Sequence, residues 1–228
     1  MCLSNERQIN LSFRFCLEQC NGQFDDPLLN EWYTNETGRS TSPWICVSAP
    51  VGREPSAYVE WDGITFGTVR SAWVWTNWPS RGQSRAGSYA LNNYLIDRAT
   101  HYSGLLPNIF TRGDFLRESQ IQRPVSTPLL ADGRLDSLTP LPADTPPVNL
   151  VTGDNSHSNV SGMRVVSIPR HGSNPKPTPS SWPQNRPLPG AVNVAFYDGH
   201  GESVKLDRLW QLYWSVDWRP PSRRPGLP

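Results

Sequence analysis

The chain has 228 residues, of which 36% are hydrophobic and 18% are charged, and it contains 23 prolines and 10 tryptophans. This length suits one sizeable domain, and the high proline and tryptophan content favours an irregular, loop-rich domain over a helical bundle. The formal net charge of +1 gives no electrostatic reason to expect nucleic acid or an anionic membrane as a partner.

The N-terminal segment predicts an amphipathic helix within residues 1–22. Asn21-Gly22 supplies a helix stop, and we expect the apolar side to lie on something flat, such as a sheet. The apolar side is formed at helical spacing by Cys2, Ile9, Phe13, Cys16, Leu17 and Cys20. The opposite, solvent-facing side is expected to carry Asn5, Glu6, Gln8, Asn10, Ser12 and Glu18.

The hydropathy of the chain bears on its localisation. No segment reaches the roughly 18 consecutive apolar residues that a membrane-spanning helix needs. The first residues, MCLSNERQIN, are polar from the fourth onward, so they lack the apolar core of a signal peptide. If Met1 is the natural start, these features predict a soluble, cytoplasmic protein.

The cysteines leave their role open. Their spacing matches no common zinc-binding motif, and three of them lie on the predicted helix, where packed thiols are expected. A disulfide from that helix to the fourth cysteine is the alternative if the domain is exported, but the sequence does not choose among the three full pairings that four cysteines allow. The four residues are Cys2, Cys16, Cys20 and Cys46.

The middle of the chain is rich in turns and predicts several short strands. The alternation in one of these strands places Trp73 and Trp75 on the same face, while residues 88–95 are ambiguous between helix and irregular structure. The strand-like patterns occur at residues 57–61, 70–76, 128–133 and 163–168.

The C-terminal half alternates loops with short elements. Residues 137–161 and the proline-rich residues 171–190 predict surface loops. Residues 206–216 carry apolar side chains at helical spacing and predict a short amphipathic helix. The sum is a single α+β domain over residues 1–216, followed by a Pro/Arg-rich tail, 217–228, that is expected to be disordered or held only by its neighbours.

The stretch VNVAFYDGHGESVKL, residues 192–206, predicts a β-hairpin. Asp198-Gly199 lies between two alternating runs, and an Asp-Gly pair in that position favours a two-residue type I′ turn. In this hairpin Val192, Val194 and Phe196 are expected to face the core, and Asn193, Ala195 and Tyr197 to face outward.

Histidines and acidic residues suggest a metal site or an acid–base set as one alternative. The motif HExxH is absent, and ligands spread over proline-rich loops would be poorly preorganised for zinc or another metal. Four aspartates, Asp132, Asp136, Asp144 and Asp154, lack the spacing of an EF-hand calcium loop. A metal-dependent hydrolase would draw on His157, His171, Asp198 and His200.

Tryptophans suggest a second alternative, an extracellular glycan- or surface-binding module. Aromatic faces bind the apolar faces of sugar rings, although tryptophans equally fill cores and line subunit interfaces. The candidates for such a platform are Trp61, Trp73, Trp75, Trp78 and Trp182.

Several sequence blocks, in order, resemble a bacterial family of pseudopilin-like, prepilin-type processing-associated proteins that is defined by a His–spacer–Asp-Gly motif near the C-terminus. The resemblance covers nearly the whole chain and is specific because of the order of its blocks. The blocks are CLSNERQINLSFRFCLEQCNGQFDD, SPWICVSAP around Cys46, SYALNNYL, ESQIQRPVSTPLLADG, RHG followed by VNVAFYDGHGESVKL, and LWQLYW.

The resemblance implies a pilin-like head in which an N-terminal helix packs on an antiparallel sheet. It implies a non-enzymatic structural or assembly subunit of a type II secretion or type IV pilus-like filament system, without cofactor or metal. Its partners would be other pilin-like subunits or secretion machinery, with self-assembly among the options. The family motif falls on His171, Asp198 and Gly199, and we expect His171 to lie near the Asp198 turn as a structural or subunit-contact group.

This sequence departs from the family pattern in two ways. The spacer between His171 and Asp198 is long, so the proline-rich insertion must loop out if the two residues are to meet. The leader and hydrophobic helix that open family members are not present in the sequence. A longer native N-terminus would imply a membrane-anchored protein of the periplasm or cell exterior.

Overall fold

The computed structural model describes residues 2–39, 43–52, 63–78, 83–96, 113–154 and 162–228. The α-helices are α1 (Cys2–Gln19) and α2 (Pro27–Glu36), and short 3₁₀ turns connect several of the strands. The strands are β1 (Ile64–Thr65), β2 (Trp73–Trp78), β3 (Gln83–Gly87), β4 (Tyr89–Asn92), β5 (Pro128–Asp132), β6 (Ser137–Leu138), β7 (Ala191–Phe196) and β8 (Gly201–Lys205).

The strands form two sheets. The larger has the order β6-β4-β5-β7-β8, with antiparallel neighbours except for the parallel pair β4–β6. The smaller is an antiparallel sheet of order β1-β2-β3. Together with the helices they make an α+β fold, as predicted. The strands expected at 70–76 and 128–133 are confirmed as β2 and β5, and the ambiguous segment 88–95 is β4 followed by a 3₁₀ turn.

Helix α1 lies on the larger sheet, chiefly against β7, with further contacts to β5 and β8. The amphipathic helix expected at the N-terminus is therefore confirmed, but its two sides differ in detail from the prediction. Glu6 and Asn10, expected in solvent, are buried, and Leu11 and Phe15 are exposed. Asn10 Nδ2 donates to the carbonyl of Phe196 at 2.7 Å, which fixes the helix on the end of β7.

Helix α2 packs beside α1 and was not predicted. Its start has a local signal, since the Asp26 side chain accepts from the Leu28 N–H at the N-cap and Pro27 occupies the first turn, a combination typical of helix starts. Trp32 fastens it to α1, because its Nε1 donates to Ser12 Oγ at 2.8 Å.

The hairpin β7–β8 is present, but its turn is not the predicted two-residue type I′ turn. The Gly199 N–H donates to the Phe196 carbonyl, and the Phe196 N–H donates to the His200 carbonyl, which leaves a three-residue loop. Gly199 has φ +97°, while Asp198 keeps a negative φ. This is the turn followed by a glycine bulge that three-residue hairpins adopt, and it needs left-handed backbone only at the glycine.

Strand β7 is buried on both faces, so the expected division into inward and outward residues is wrong. All six of its residues are buried, and so is Tyr197 after it. Helix α1 covers one face of β7, and both of its edges are paired, with β5 and β8. The alternation of residue types in this segment therefore occurs in a strand that is buried on both faces and is not half-exposed.

The C-terminal half differs from its prediction in three further places. Residues 163–168, expected as a strand, begin with a 3₁₀ turn, Met163–Val165. The short helix expected after residue 206 is present as a 3₁₀ helix, Leu206–Gln211. The tail 217–228 packs against the rest of the molecule instead of remaining free, since Trp218 and Arg224 are buried.

Two of the predicted features lie outside the described residues: the strand at 57–61, which includes Trp61, and His157. Among the residues that are described, no helix combines the length and apolar character required to cross a membrane.

Candidate functional site

The residues of the His–spacer–Asp-Gly motif lie at opposite ends of β7. His171 forms an isolated antiparallel bridge with Ala191, the first residue of the strand, whereas Asp198 follows its last residue. A strand of this length extends about 16 Å at 3.3 Å per residue. The expectation that His171 approaches the Asp198 turn is therefore wrong. The proline-rich segment does loop out, but it returns the chain beside His171 at Ala191.

The residues at the Asp198 end form a small exposed pair. His200 Nδ1 lies 2.6 Å from Asp198 Oδ1, and the His200 ring stacks on Phe196 with centroids 4.4 Å apart. Because His171 is at the other end of the strand, the structure does not bring together the set expected for a hydrolase. The Asp198–His200 pair closes the hairpin.

Among the candidate tryptophans whose side chains the structure describes, none forms part of the expected surface platform. Trp73 is fully buried and donates from Nε1 to the Tyr89 carbonyl at 3.1 Å, while Trp75 and Trp182 are partly buried against the core. The side chain of Trp78 lies outside the described part of the structure. A glycan-binding surface centred on Trp73 is thus contradicted by its burial.

The cysteines divide into a disulfide and two thiols. Cys2, at the start of α1, is bonded to Cys46, with the two Cα atoms 5.2 Å apart, so the pairing from the helix to Cys46 is confirmed. Cys16 and Cys20 are free. Burial raises the pKa of both thiols, that of Cys20 to about 12, which keeps them protonated at neutral pH.

A group of buried polar residues lies beneath the start of α1, next to the disulfide. Its centre is Asp132, the last residue of β5, whose side chain is fully buried. Asp132 Oδ2 accepts from the Asn193 backbone N–H at 2.6 Å and lies 3.2 Å from His171 Nε2. The carboxylate thereby joins β5, β7 and the segment that precedes the proline-rich loop.

Arg170 is the buried cation of this group. Its Nη1 is 4.0 Å from Asp132 Oδ1 and donates to the Ser88 carbonyl. Its Nε and Nη2 donate to the carbonyls of Thr68 and Ser71. Burial lowers the pKa of Arg170 to about 10, against the opposing effect of Asp132, so the guanidinium stays charged at neutral pH. Through these bonds Arg170 holds the 68–71 turn against the residue that precedes β4.

Glu6 adds a second buried carboxyl. Within the described residues, neither of its side-chain oxygens has a hydrogen-bond partner, and the same holds for Asp132 Oδ1. Burial raises the pKa of Glu6 well above 4.5, and the charge of Asp132 raises it further. Burial, with Asp132 and Glu6 next in importance, likewise raises the pKa of Tyr89, whose hydroxyl lies 3.4 Å from the Cys2 carbonyl.

His171 links this group to the disulfide and to solvent. Its Nε2 is 3.6 Å from Cys46 Sγ, and its side chain keeps 20% of its surface exposed. The sulfurs of Cys2 and Cys46 and a ring nitrogen of His171 lie within 4.8 Å of one another. Two sulfurs and an imidazole nitrogen therefore meet at one partly accessible point, and the Asp132 carboxylate contacts the same imidazole.

Searches against protein-family models, curated proteins and solved structures return no match.

A cavity of about 740 Å³ lies elsewhere, beside the C-terminal segment. Arg123 and Arg219 line it together with amides and hydroxyls, and the Arg123 guanidinium lies over the Tyr213 ring at 4.5 Å from its centroid. No carboxylate belongs to the described lining. This cavity supplies no acid–base pair that would support hydrolysis.

The outer side of α1 forms an exposed apolar surface. Leu11 and Phe15, one turn apart, are 69% and 67% exposed, and Leu28 of α2 is 47% exposed. A shallow groove of about 280 Å³ between the two helices includes Phe15, Cys16 and Leu28 in its lining. We call Leu11, Phe15 and Leu28 the outer apolar patch.

Sequence reasoning identified His171 and the cysteines as candidates but missed the roles of Glu6, Asp132 and Arg170. Asp132 was considered only for calcium, and Glu6 only as a solvated residue of the helix. The sequence signal that could have found this group is Asp132 itself, which ends an otherwise apolar strand. A carboxylate in that position must find hydrogen-bond or charged partners when it is buried.

Proposed function

We propose that this protein is a non-enzymatic structural or assembly subunit of a type II secretion or type IV pilus-like filament system, with a pilin-like head. The proposal rests on the ordered sequence blocks and on the two sides of α1. One side is held on β5, β7 and β8, and the other presents Leu11 and Phe15 with about two thirds of their surface exposed. This exposed pair is the observation that carries the proposal.

A second copy of the chain is the neighbour that best fits this side of α1. Arg7 lies one turn before Leu11 and Glu18 about one turn after Phe15, and both charged residues are exposed. The surface thus has an apolar centre with opposite charges at its two ends. Another copy offers the same features, so apolar side chains can meet while unlike charges approach.

Burial of the outer apolar patch in such a contact would favour assembly. Full burial of a leucine or phenylalanine side chain stabilises an association by about 1.5–3 kcal/mol. Leu28, 47% exposed on the neighbouring helix, widens the surface across the groove. Exposed apolar patches rimmed by polar residues are typical of interaction sites.

An oxidising compartment, periplasmic or extracellular, is part of the proposal. Disulfides persist in such compartments and are reduced in most cytosols, and Cys2 is bonded to Cys46. Alkylation of the denatured protein straight from its native cells tests this. We expect label on Cys16 and Cys20 alone before reduction. Label on all four cysteines would contradict export.

Self-association tests the filament role. We expect the purified full chain to associate with rising concentration in sedimentation velocity, and Phe15→Ser or Leu11→Ser to weaken that association at least tenfold, equivalent to about 1.4 kcal/mol. Leu141→Ser is the matched control, because Leu141 is also an exposed leucine, at 54%, but lies outside α1 and α2.

Two results would contradict this function. One is a chain that stays monomeric at every concentration. The other is an association that is equally weakened by Leu141→Ser, because the loss would then reflect general surface hydrophobicity and not the outer apolar patch. Negative-stain electron microscopy of the associated species distinguishes filaments from closed oligomers.

A further inference from the structure

We propose that reduction of the Cys2–Cys46 disulfide converts the group beneath α1 into a Zn²⁺ site, with Cys2, Cys46, His171 and Asp132 as ligands. Sulfur, imidazole and carboxylate are the donor types that zinc binds in proteins, in four-coordinate tetrahedral sites. The ligands come from α1, the 43–52 segment, β5 and the residue that bridges to β7. The ion would therefore tie together the same parts of the molecule that the disulfide joins.

The two donor distances that involve His171 already suit zinc. With Zn–S near 2.3 Å and Zn–N or Zn–O near 2.0 Å, tetrahedral angles place sulfur and nitrogen about 3.5 Å apart and nitrogen and oxygen about 3.3 Å apart. His171 Nε2 lies 3.6 Å from Cys46 Sγ and 3.2 Å from Asp132 Oδ2. The two sulfurs must separate to about 3.8 Å in the same geometry. The Asp132 carboxylate must also turn towards them, because it is not among the donors that already lie within 4.8 Å of one another.

The charges around the site also suit a dication. Zn²⁺, two thiolates, the Asp132 carboxylate and the buried Arg170 guanidinium sum to zero. Asp132 Oδ1 and both oxygens of Glu6 are buried, and no described residue donates a hydrogen bond to them, which is costly for carboxyl groups. A cation beside Asp132 would offset part of that cost.

The reaction balances with a dithiol as the reductant. The dithiol transfers two electrons and two protons, so the Cys2–Cys46 bond breaks, both sulfurs become thiols and the dithiol closes to its own disulfide. Zn²⁺ then displaces the two thiol protons into solvent. Exchange with the oxidised dithiol reverses the sequence: the Cys2–Cys46 bond re-forms, the dithiol is regenerated with two protons from solvent, and the ion is released. The partly exposed edge of His171 gives the ion its path to the buried sulfurs.

Metal binding by the full chain in its two redox states tests the proposal. The protein is reduced with a phosphine, which does not compete for zinc as a dithiol would, and then desalted without oxygen. We expect about one Zn²⁺ per chain by elemental analysis, as one four-ligand site requires, and at least tenfold less for the oxidised protein. With Co²⁺ we expect thiolate charge-transfer bands and the visible bands of a tetrahedral site.

Variants separate this site from the other thiols. Cys46→Ser and His171→Gln should each weaken binding at least tenfold, while the double change Cys16→Ser with Cys20→Ser should leave it unaltered. Near-UV circular dichroism of the metal-free variants checks their folding, and His171→Gln decides if Cys46→Ser does not fold. Equal binding in both redox states, binding that His171→Gln leaves intact, or loss of binding in the Cys16/Cys20 variant would overturn the proposal.

Discussion

Both carboxyl oxygens of Glu6 are buried, and no described residue donates a hydrogen bond to them. The next two residues of the same helix, Arg7 and Gln8, are exposed. Its pKa is raised by burial first and then by the charge of Asp132. The folded protein therefore holds a proton on Glu6 at pH values where the unfolded chain has lost it. The stability linked to this residue is fully present below the unfolded pKa of about 4.5 and is lost as pH rises towards the folded pKa.

Glu6→Gln should remove this pH dependence. The amide is uncharged at every pH, so the variant should gain stability relative to the wild type as pH rises above about 4.5, by up to about 1.4 kcal/mol for each pH unit within the window. Urea denaturation at several pH values measures the difference. Glu18→Gln, on the exposed side of the same helix, is the matched control and should show no such trend. A constant difference between Glu6→Gln and the wild type would contradict a raised pKa.

The burial of Glu6 could not be predicted from the sequence. Helical periodicity divides α1 by hydrophobicity, which is why Ile9, Phe13 and Leu17 were assigned to the packed side. It cannot show that Glu6 lies close to Asp132, the aspartate that ends β5. Leu11 and Phe15, by contrast, break the pattern on the outer side, and that deviation is the sequence signal of a contact surface.

At the scale of elements, the hairpin between β7 and β8 depends on Gly199. A Cβ at this position would meet nothing within 4 Å, yet φ is +97°, so any cost of substitution comes from the backbone alone. Gly199→Ala should destabilise the fold by about 1 kcal/mol, and Gly199→Asn by less, since asparagine tolerates left-handed backbone better. Thermal unfolding of the two variants checks this order. Equal stability of both variants and the wild type would contradict the bulged turn.

Local sequence chemistry predicted some elements and not others. Asp-Gly correctly marked a hairpin, because both a type I′ turn and a glycine bulge need a residue that accepts positive φ, but it could not choose between them. Helix α2 was not predicted, although the capping residue Asp26 and the following Pro27 are a local signal for a helix start. The burial of β7 on both faces depends on its place in the sheet, and no pattern within the strand gives that place.

At the scale of the whole molecule, the candidate site is assembled from distant segments. Cys2, Cys46, Asp132 and His171 meet because α1 crosses the sheet, β5 pairs with β7, and the proline-rich loop returns beside His171. Each of these residues was visible in the sequence, but their proximity is a product of strand order. A motif search that linked His171 to Asp198 by sequence therefore joined residues that the fold keeps apart.

The C-terminal tail also belongs to this global assembly, through Arg224. Its buried guanidinium donates to Asp207 and to the carbonyls of Gln184 and Arg186, so it joins the tail to the proline-rich loop and the 3₁₀ helix. Arg224→Met should destabilise the protein by about 3 kcal/mol, because buried carbonyls and a carboxylate lose their donor. Arg223→Met, at the adjacent exposed position, should change stability by less than about 0.5 kcal/mol. Urea denaturation of both variants compares them, and equal effects would mean that the tail is held only by its immediate neighbours, as its composition had suggested.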